Sequence, residues 1–343
     1  MDLMDLVGIS EIAALAGVSR QAVSNWRSRS KSFPSPIAEL SSGPVWHKEG
    51  IEEWLRNKEG KMTKIISFIN LKGGVGKTTT TVAIAEFLAL EHQQRVLVVD
   101  LDPQTNATIA LISETEWARR DQEGLTLLQM FKDKLDRTNK FDIKKAIIDK
   151  ASMLKIPRLS LLPSSLGLID IQENYIFDLK IRNSSVNEHN ILRSVLKSVI
   201  SDYDYVLIDC PPNLGFITKN GINISTGYVI PTIPDVLSTY GIPQILISIE
   251  NFADENGFDI QPKGIIISKK RGIDLHDSKL RQLKTEAAEG KKPPIFETII
   301  PEAADIAASP DSTSPVNTLR QKYGYKNYPV YSKLTEEFIQ RCQ

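Results

Sequence analysis

The segment from Asn70 to Thr79 combines the residue types that bind a polyphosphate. It reads Asn-Leu-Lys-Gly-Gly-Val-Gly-Lys-Thr-Thr, follows an apolar run and opens a stretch with helical character. Glycines let backbone N–H groups turn toward phosphate oxygens, and a following helix points its positive end at the same anion. We expect Lys77 to reach the β- and γ-phosphates and the Thr78 hydroxyl to ligate Mg²⁺. The alternative is a glycine-rich turn that precedes Lys-Thr by chance.

Two further apolar runs end in carboxylates. Val96–Val99 leads into Asp100 and Asp102, and Tyr205–Ile208 leads into Asp209. Carboxylates at the carboxyl ends of parallel strands face the ligand crevice of an α/β sheet. Any one of these aspartates alone is equally consistent with a helix cap or a turn. Three such segments along one chain favour a phosphate and metal site and argue against the chance turn.

The regions around these motifs alternate between strands and helices. A helix is predicted over Thr78–Glu91, and strands are predicted over Ile65–Ile69, Arg95–Val99, Tyr205–Ile208, Gly227–Ile233 and Gly264–Ile267. Such alternation predicts a mainly parallel sheet flanked by helices on both faces. The fold class is therefore α/β, a P-loop NTPase. Residues 113–200 contain no recognisable motif, and we expect helices there, at a face that meets partner proteins.

Residues 10–27 read as two short helices around a tight turn at Gly17, with Ser19 as a natural N-cap of the second helix. Five apolar residues have the spacing of a small core: Ile12, Leu15, Val18, Val23 and Trp26. Basic residues without acids suit a recognition helix in a major groove, where Gln and Asn read adenine edges. The predicted DNA contacts are Arg20, Gln21, Ser24, Asn25, Arg27 and Arg29. The alternative is a dimerisation cap with a solvated basic face.

A wing and a closing helix are predicted to follow these two helices. Phe33 to His47, with Gly43-Pro44 between, is predicted to form the wing, and Glu49–Leu55 reads as the helix. The unit resembles the MerR/excisionase type of winged helix-turn-helix. We therefore predict a DNA-binding helix-turn-helix domain over residues 1–56. A polar, charged stretch over residues 57–63 is predicted to be a linker, and residues 64–343 are predicted to form the P-loop ATPase domain.

The phosphate loop departs from the ordinary pattern at two positions. Leu71 stands six residues before Lys77, where the ordinary loop has glycine, and Lys72 adds a second lysine. The segment from Lys72 to Thr78 resembles the deviant Walker A box of the ParA/MinD family of partition ATPases. That resemblance implies a homodimer with ATP at its interface, in which Lys72 reaches across to the partner's nucleotide.

The resemblance extends to the acidic segments and beyond them. It implies that Asp102 orients the attacking water, that Asp100 supports the Mg²⁺ shell and that Asp209, in a Walker B segment, holds Mg²⁺. Phe296 to Pro301 resembles the late strand and adenine-side turn of the family. The implied cofactors are ATP and Mg²⁺. The catalytic residues would be Lys72, Lys77 and Asp102; the nucleotide contacts Lys72, Gly73, Gly74, Val75, Gly76, Lys77, Thr78, Thr79 and Pro301; and the metal ligands Thr78, Asp100 and Asp209.

Composition narrows the protein classes further. With 42 basic and 42 acidic residues the net charge is zero, which argues against a histone-like wrapper but permits local basic patches. Cys210 and Cys342 are too few for a disulfide framework. The first ten residues lack the basic region of a signal peptide. The sequence also has no run of 18 apolar residues and no basic amphipathic tail, so we do not expect a membrane partner. We expect a prokaryotic, cytoplasmic protein associated with nucleoid or plasmid.

Seven basic residues of the ATPase domain are candidates for DNA contact without sequence preference, as in family members, and for each a solvated surface charge is the alternative. They are Lys269, Lys270, Arg271, Arg320, Lys322, Lys326 and Arg341.

Three functions compete for this set of motifs. The first is an ATP-dependent switch that segregates plasmid or chromosome DNA, or positions a large cytosolic cargo such as a carboxysome, through a ParB-type or cargo adaptor protein. The second is an ATP-regulated, sequence-specific repressor that acts through the helix-turn-helix. The third is an iron-protein reductase or metal-insertion ATPase, which is disfavoured because the chain has no C-x-x-C pair to hold a cluster.

Overall fold

A computed structural model of the 343-residue chain divides into two compact units between Met62 and Thr63. The structure describes residues 6–29, 33–41, 43–58, 63–175, 188–302 and 316–342. Each unit has hydrophobic core residues of its own. Among the described residues, no helix has the length and apolarity needed to cross a bilayer.

The first unit combines short helices with a small antiparallel sheet. Within its described residues the helices are α1 (Ile9–Leu15), α2 (Arg20–Arg29) and α3 (Lys48–Lys58), and the strands are β1 (Leu6–Val7), β2 (Ala38–Leu40) and β3 (Gly43–His47). The strands lie in the order β1–β3–β2. Gly43 has φ +119°, a conformation that favours glycine at the start of β3.

Aromatic side chains fill the centre of this unit. The ring of Trp46 on β3 lies 5.6 Å from Phe33 at nearly a right angle, and Phe33 lies 4.7 Å from Trp54 of α3. Such edge-to-face pairs add roughly 0.5–1.5 kcal/mol beyond their buried area. The hairpin and α3 therefore contribute as much to the core as the two helices before them.

The core predicted from the first two helices is only partly right. Ile12 and Val23 are buried in the core, and Trp26 is half-buried and packs against that core. Leu15 and Val18, in contrast, are 43% and 36% exposed. Helical spacing identified one apolar stripe. It gave no information on the aromatic residues of β3 and α3, which occupy the remaining space.

The second unit is built on a parallel sheet, as predicted. Within the described residues its strands are β4 (Lys64–Phe68), β5 (Val96–Asp100), β6 (Leu159–Leu162), β7 (Tyr205–Asp209), β8 (Gly227–Thr232) and β9 (Gln261–Ile267). Their order is β6–β5–β7–β4–β8–β9, and every pair is parallel. The stretch over residues 113–200 holds helices, as expected, but it also contains β6, which was not predicted and forms one edge of the sheet.

Helices cover both faces of this sheet. Within the described residues, the α-helices longer than three residues are α4 (Lys77–Leu90), α5 (Asn106–Leu111), α6 (Glu114–Gln122), α7 (Leu127–Asp136), α8 (Ile143–Ala146), α10 (Ile191–Leu196), α11 (Phe216–Ile224), α12 (Val236–Tyr240), α13 (Ile242–Asn256), α14 (Asp274–Ala288) and α15 (Leu319–Arg341), while α9 (Leu168–Asp170) is a single turn. Alternate residues of each strand face opposite sides. Leu97 and Val99 therefore join one core, and Val96 and Val98 join the other.

Helix α4 is buried along most of its length. Its residues from Thr80 to Ala89 are buried without interruption, on the face of the sheet that also carries α15. A helix that is apolar around its whole circumference is expected at the centre of a domain. Because α4 starts directly after the glycine loop, this packing holds the start of the helix in place.

Candidate functional site

The glycine loop joins β4 to α4 and contains two glycines in left-handed conformation. Gly74 has φ +75° and Gly76 has φ +82°, and Gly76 immediately precedes α4. An L-residue adopts these angles only with strain, so glycine is required at both positions. The backbone N–H groups at the start of α4 have no carbonyl partner within the helix, which makes this end of the loop a ready anion site.

Lys77 lies across the loop rather than in solvent. Its Nζ donates to the backbone carbonyls of Asn70 and Lys72, each at 3.2 Å. Burial lowers the pKa of Lys77, and the carboxylates of Asp209 and Asp102 act against that shift. The side chain is thus held against the backbone carbonyls of the loop.

The hydroxyl of Thr78 donates to Oδ2 of Asp209 at 2.7 Å. Asp209 is fully buried at the end of β7, where it pairs in register with Phe68 of β4. Burial and the neighbouring Asp100 carboxylate raise the pKa of Asp209 well above its ordinary value, while Thr78 and Lys77 oppose the rise. A cation placed between the two oxygens would favour the ionised carboxylate.

The donor set at this position fits a magnesium ion. Mg²⁺ binds oxygen ligands, and beside a nucleotide it takes only one or two protein ligands, with phosphate and water completing the shell. Thr78 and Asp209 supply such a pair. Within the described ranges, no group of three or more His, Cys, Asp or Glu side chains is arranged to hold a metal by itself.

Asp100 is saturated by hydrogen bonds from its own chain. Its Oδ2 accepts from the backbone N–H and the hydroxyl of Thr108, at 2.8 and 2.7 Å, and its Oδ1 accepts from the N–H of Asp102 at 3.1 Å. Burial raises the pKa of Asp100 to about 7, although the bonds from Thr108 act in the opposite direction. These hydrogen bonds of Asp100 therefore hold the loop that carries Asp102 in place.

Asp102 is 7% exposed and lines the same cavity as Lys77. Its Oδ1 accepts from the N–H of Gln104 at 2.9 Å, and its backbone carbonyl accepts from the Ser164 hydroxyl at 2.7 Å. Within the described part of the chain, the Oδ2 atom of Asp102 takes part in no hydrogen bond. A carboxylate held in this way can accept a hydrogen bond from a water beside the phosphates.

Lys72 is paired within its own chain. Its Nζ lies 3.2 Å from a carboxylate oxygen of Asp235, which also accepts from the N–H of Ser238 and so caps α12. Burial would raise the pKa of Asp235, but the hydrogen bonds from Ser238 and Lys72 hold it below the ordinary value. The side chain of Lys72 is therefore paired with Asp235 and does not line the cavity.

The loop and the acidic residues border a cavity of about 570 Å³. The structure brings seven of the predicted residues to its wall: Gly73, Gly74, Gly76, Lys77, Thr78, Thr79 and Asp102. Four others lie beside or below it rather than on its surface: Lys72, Val75, Asp100 and Asp209. Pro301 is exposed, pairs in parallel with Lys270 and is not part of the wall.

Sequence reasoning missed the rest of the wall, which is Val82, Gln104, Asn106, Ile109, Ala110, Pro212, Lys269, Lys322 and Tyr323. Val82 lies five residues after Lys77 and Gln104 two residues after Asp102, so proximity along the chain was a usable signal for these two. No sequence pattern connects Lys322 and Tyr323 with the loop. Lys322, a candidate for a DNA-facing surface, is 8% exposed and pairs with the fully buried Glu86 at 2.7 Å, so that candidate was wrong.

In the first unit, most of the residues predicted to contact DNA are accessible. Arg20, Gln21 and Arg27 on α2 are exposed, and Ser24 and Asn25 are partly exposed. Arg27 forms an ion pair with Glu39 of β2, in the hairpin. The side chain of Arg29 lies outside the described residues.

Comparisons with known proteins identify a matching family and several relatives. A family model described as an AAA domain matches residues 63–261, more than half of the chain. The sporulation initiation inhibitor protein Soj of Bacillus subtilis (strain 168) is 28% identical over 255 residues, covering 74% of this chain and 90% of Soj. The chromosome partitioning protein ParA of Myxococcus xanthus (strain DK1622) is 26% identical over 278 residues, covering 81% of this chain and 87% of that protein.

Solved structures share the fold. A plasmid partition protein of Borrelia burgdorferi B31 bound to AMPPNP has a TM-score of 0.62 at 22% identity, covering 81% of this chain and 99% of that one. Cobyrinic acid a,c-diamide synthase from Mycobacterium smegmatis with bound ADP and magnesium has a TM-score of 0.61 at 22% identity, covering 81% and 95%. Together with the glycine loop and its acidic neighbours, these findings show that the chain belongs to the AAA-domain family, among the ATPases of the ParA/MinD type.

Proposed function

We propose that this protein is a partition or positioning ATPase of the ParA type, whose ATP-bound homodimer binds DNA and an adaptor protein. The observation that carries the proposal is the arrangement around one cavity: Lys77 lies across the loop, Thr78 contacts Asp209, and Asp102 faces the same space. This set matches what phosphoryl transfer to water requires, which is a phosphate cradle, a metal site and a carboxylate that positions water.

In this proposal each residue of the cavity has one task. Backbone N–H groups of the loop and the start of α4 bind the phosphates, and Lys77 contacts the β- and γ-phosphates. Thr78 and Asp209 would hold Mg²⁺, which neutralises charge on the transferred phosphoryl group. Asp102 orients the attacking water, and Asp100 keeps Asp102 in place. The solved relatives bound to AMPPNP or to ADP and magnesium support the assignment of both cofactors.

ATP-dependent pairing of two copies is the second part of the proposal. Lys72 would leave Asp235 and reach the nucleotide of the partner copy, so that closure depends on ATP. Loss of the γ-phosphate would loosen the dimer, as in other nucleotide switches. The cargo is DNA or a large cytosolic body, reached through an adaptor of the ParB or cargo-adaptor type.

A second candidate function rests on the first unit. Its α2 exposes Arg20 and Gln21 next to a hairpin, the arrangement expected of a helix that reads a major groove. In that case the chain would be an ATP-regulated repressor with a specific operator. Both functions can reside in one protein, since they use different units.

DNA binding by the purified full-length protein separates these functions. Binding to a random duplex is measured without nucleotide, with ADP and with ATP, over a salt series, for the wild type and for Lys77→Ala and Asp102→Ala. The proposed switch requires that ATP alone induce binding, that Lys77→Ala abolish it and that Asp102→Ala prolong it. Binding that ignores nucleotide and survives Lys77→Ala would instead assign DNA contact to α2, and footprinting would then test for an operator.

A further inference from the structure

Lys269 lies on the cavity wall although no motif includes it. It lies two residues after the end of β9, it lines the cavity, and its backbone has φ +49°. A left-handed conformation is unfavourable for a non-glycine residue, and such residues are enriched at ligand sites. The backbone at this position therefore holds the lysine in an unfavourable conformation at the edge of a nucleotide-sized cavity.

The segment that follows β9 and carries Lys269 is attached to the phosphate loop. The Ser268 hydroxyl donates to the backbone carbonyl of Val75 at 2.6 Å. Ser268 is 1% exposed, and a methyl group added to Gly76 would lie 3.5 Å from its side chain. Because Lys269 follows Ser268 directly, its backbone lies beside the end of the loop at which α4 begins.

The two basic residues after Lys269 have carboxylate partners. Lys270 pairs with Asp277 at 2.8 Å, and the guanidinium of Arg271 pairs with Glu302. Arg271 also donates its backbone N–H to Nδ1 of His276 at 3.0 Å. Within the described ranges, the ammonium of Lys269 has no hydrogen bond or ion pair. Of these three consecutive basic residues, Lys269 on the cavity wall is therefore the one whose charge has no carboxylate partner within the described ranges.

Glu302 is a carboxylate close enough to compete for Lys269. The Arg271 guanidinium, followed by a weaker contribution from Lys269, lowers the pKa of Glu302. Arg271 binds both oxygens of that carboxylate, so the charge of Glu302 is already matched. A polyanion in the cavity is the remaining partner for Lys269, and charge-assisted bonds to phosphate are the strong ones.

We propose that Lys269 is a nucleotide-binding residue of this ATPase, with its ammonium group on the α- or β-phosphate. The loop backbone near the start of α4 cradles these two phosphates, whereas Lys77 serves the β- and γ-phosphates. Lys269 therefore contributes to binding of ATP and ADP alike and contributes little to the chemical step. The inference rests on the proposed ATPase function, and it names a residue that the phosphate-loop motif leaves out.

Isothermal titration of the full-length protein with Mg·ADP and with a non-hydrolysable Mg·ATP analogue tests this. Lys269→Gly removes the ammonium while relieving the strained backbone, so the nucleotide-free protein should melt at the wild-type temperature or above. We expect roughly tenfold weaker binding of both nucleotides, because the loss of a hydrogen bond to a charged group typically weakens binding by about this factor. Lys269→Arg should restore affinity to within about threefold, because it keeps the charge.

Lys270→Gly is the matched control, because it removes the adjacent lysine that already has a carboxylate partner, and it should leave both affinities unchanged. Unchanged affinity in Lys269→Gly, or a loss confined to the ATP analogue, would overturn the inference. Wild-type protein that binds neither nucleotide, with Lys77→Ala indistinguishable from it, would instead refute the ATPase function. The two failures are therefore separable in one set of titrations.

Discussion

At the scale of single residues, the Thr78 hydroxyl is the group whose removal most directly tests the metal site. It lies 2.7 Å from Asp209, and the two oxygens are the proposed protein ligands of Mg²⁺. Thr78→Val keeps the shape of the side chain but removes the ligand. We expect steady-state hydrolysis to fall about 100-fold and the Mg²⁺ concentration for half-maximal activity to rise about tenfold, because a ligand of the metal is lost.

Thr81 offers a matched control one turn further along α4. Its hydroxyl donates to the carbonyl of Lys77 at 2.9 Å and lies 3.5 Å from the other oxygen of Asp209. Thr81→Val therefore changes the same carboxylate's surroundings without removing a proposed ligand, and its Mg²⁺ dependence should match the wild type. Thr78→Ser should recover activity. Equal effects of Thr78→Val and Thr81→Val would show that packing, rather than metal ligation, is at stake.

Single-residue roles were predictable from sequence where a backbone motif carries the chemistry. The glycine spacing identified Lys77 and Thr78, since loop geometry follows directly from glycine positions. The contacts of Asp100 were not predictable, because its Oδ2 is occupied by Thr108, eight residues later, and that contact exists only after α5 has packed. For the same reason Lys269 was indistinguishable from its two basic neighbours.

At the scale of elements, the contact between α4 and α15 depends on a buried charge network. Glu86 of α4 is fully buried and accepts from Lys322 Nζ and Tyr323 Oη, each at 2.7 Å, and from the hydroxyl of Ser152. Lys322 and Tyr323 also line the cavity. The network therefore joins the helix that follows the phosphate loop to a wall of the nucleotide cavity formed by α15.

Glu86→Leu would leave Lys322 as a buried charge without its partner. Breaking a buried ion pair in this way typically costs about 3–5 kcal/mol, whereas replacing both members with apolar residues is close to neutral. We expect urea denaturation to show that loss for Glu86→Leu and to show most of it recovered in Glu86→Leu/Lys322→Met. A double variant no more stable than the single one would mean that the two side chains do not interact in the folded protein.

The elements themselves were predicted to different degrees. β4, β5, β7, β8 and β9 overlap the apolar runs that predicted them, because a strand buried on both faces reads as a continuous apolar stretch. β6 was missed although Leu159–Leu162 is fully buried, since a four-residue apolar run does not distinguish a strand from part of a helix. Its place at the edge of the sheet is set by pairing with β5, a strand far away in the sequence, and a local apolar pattern does not reveal such a pairing.

At the scale of the whole molecule, the chain combines a nucleotide-binding unit with a small first unit that has a core of its own. In the proposed function ATP pairs two chains, so the dimer carries two copies of α2. Linking two weak DNA contacts raises the overall affinity by orders of magnitude without any new contact. Nucleotide control of pairing would then control DNA binding by either unit.

In the proposed function, pairing requires Lys72 to exchange Asp235 for the partner's nucleotide. This ion pair is partly exposed, with side-chain exposures of 36% and 23%, so releasing it costs only about 0.2–1 kcal/mol. Asp235→Asn keeps an N-cap for α12 but removes the charge. Each dimer releases two such pairs, so we expect Asp235→Asn to lower the dimer dissociation constant with an ATP analogue about 2- to 30-fold, as measured by analytical ultracentrifugation.

Lys72→Ala gives the complementary result if the lysine acts between chains. Each subunit should still bind nucleotide through the loop and Lys77, yet ATP should no longer produce a dimer. Because the proposed role of Lys72 is exerted on the partner, mixing Lys72→Ala with an excess of Lys77→Ala should partly restore ATP-dependent pairing. In the mixed dimer one nucleotide site is complete, with Lys77 of the Lys72→Ala subunit and Lys72 of the Lys77→Ala subunit. Normal ATP-dependent dimers of Lys72→Ala would confine this lysine to its own subunit, and the Lys72–Asp235 pair would then stabilise α12 rather than restrain assembly.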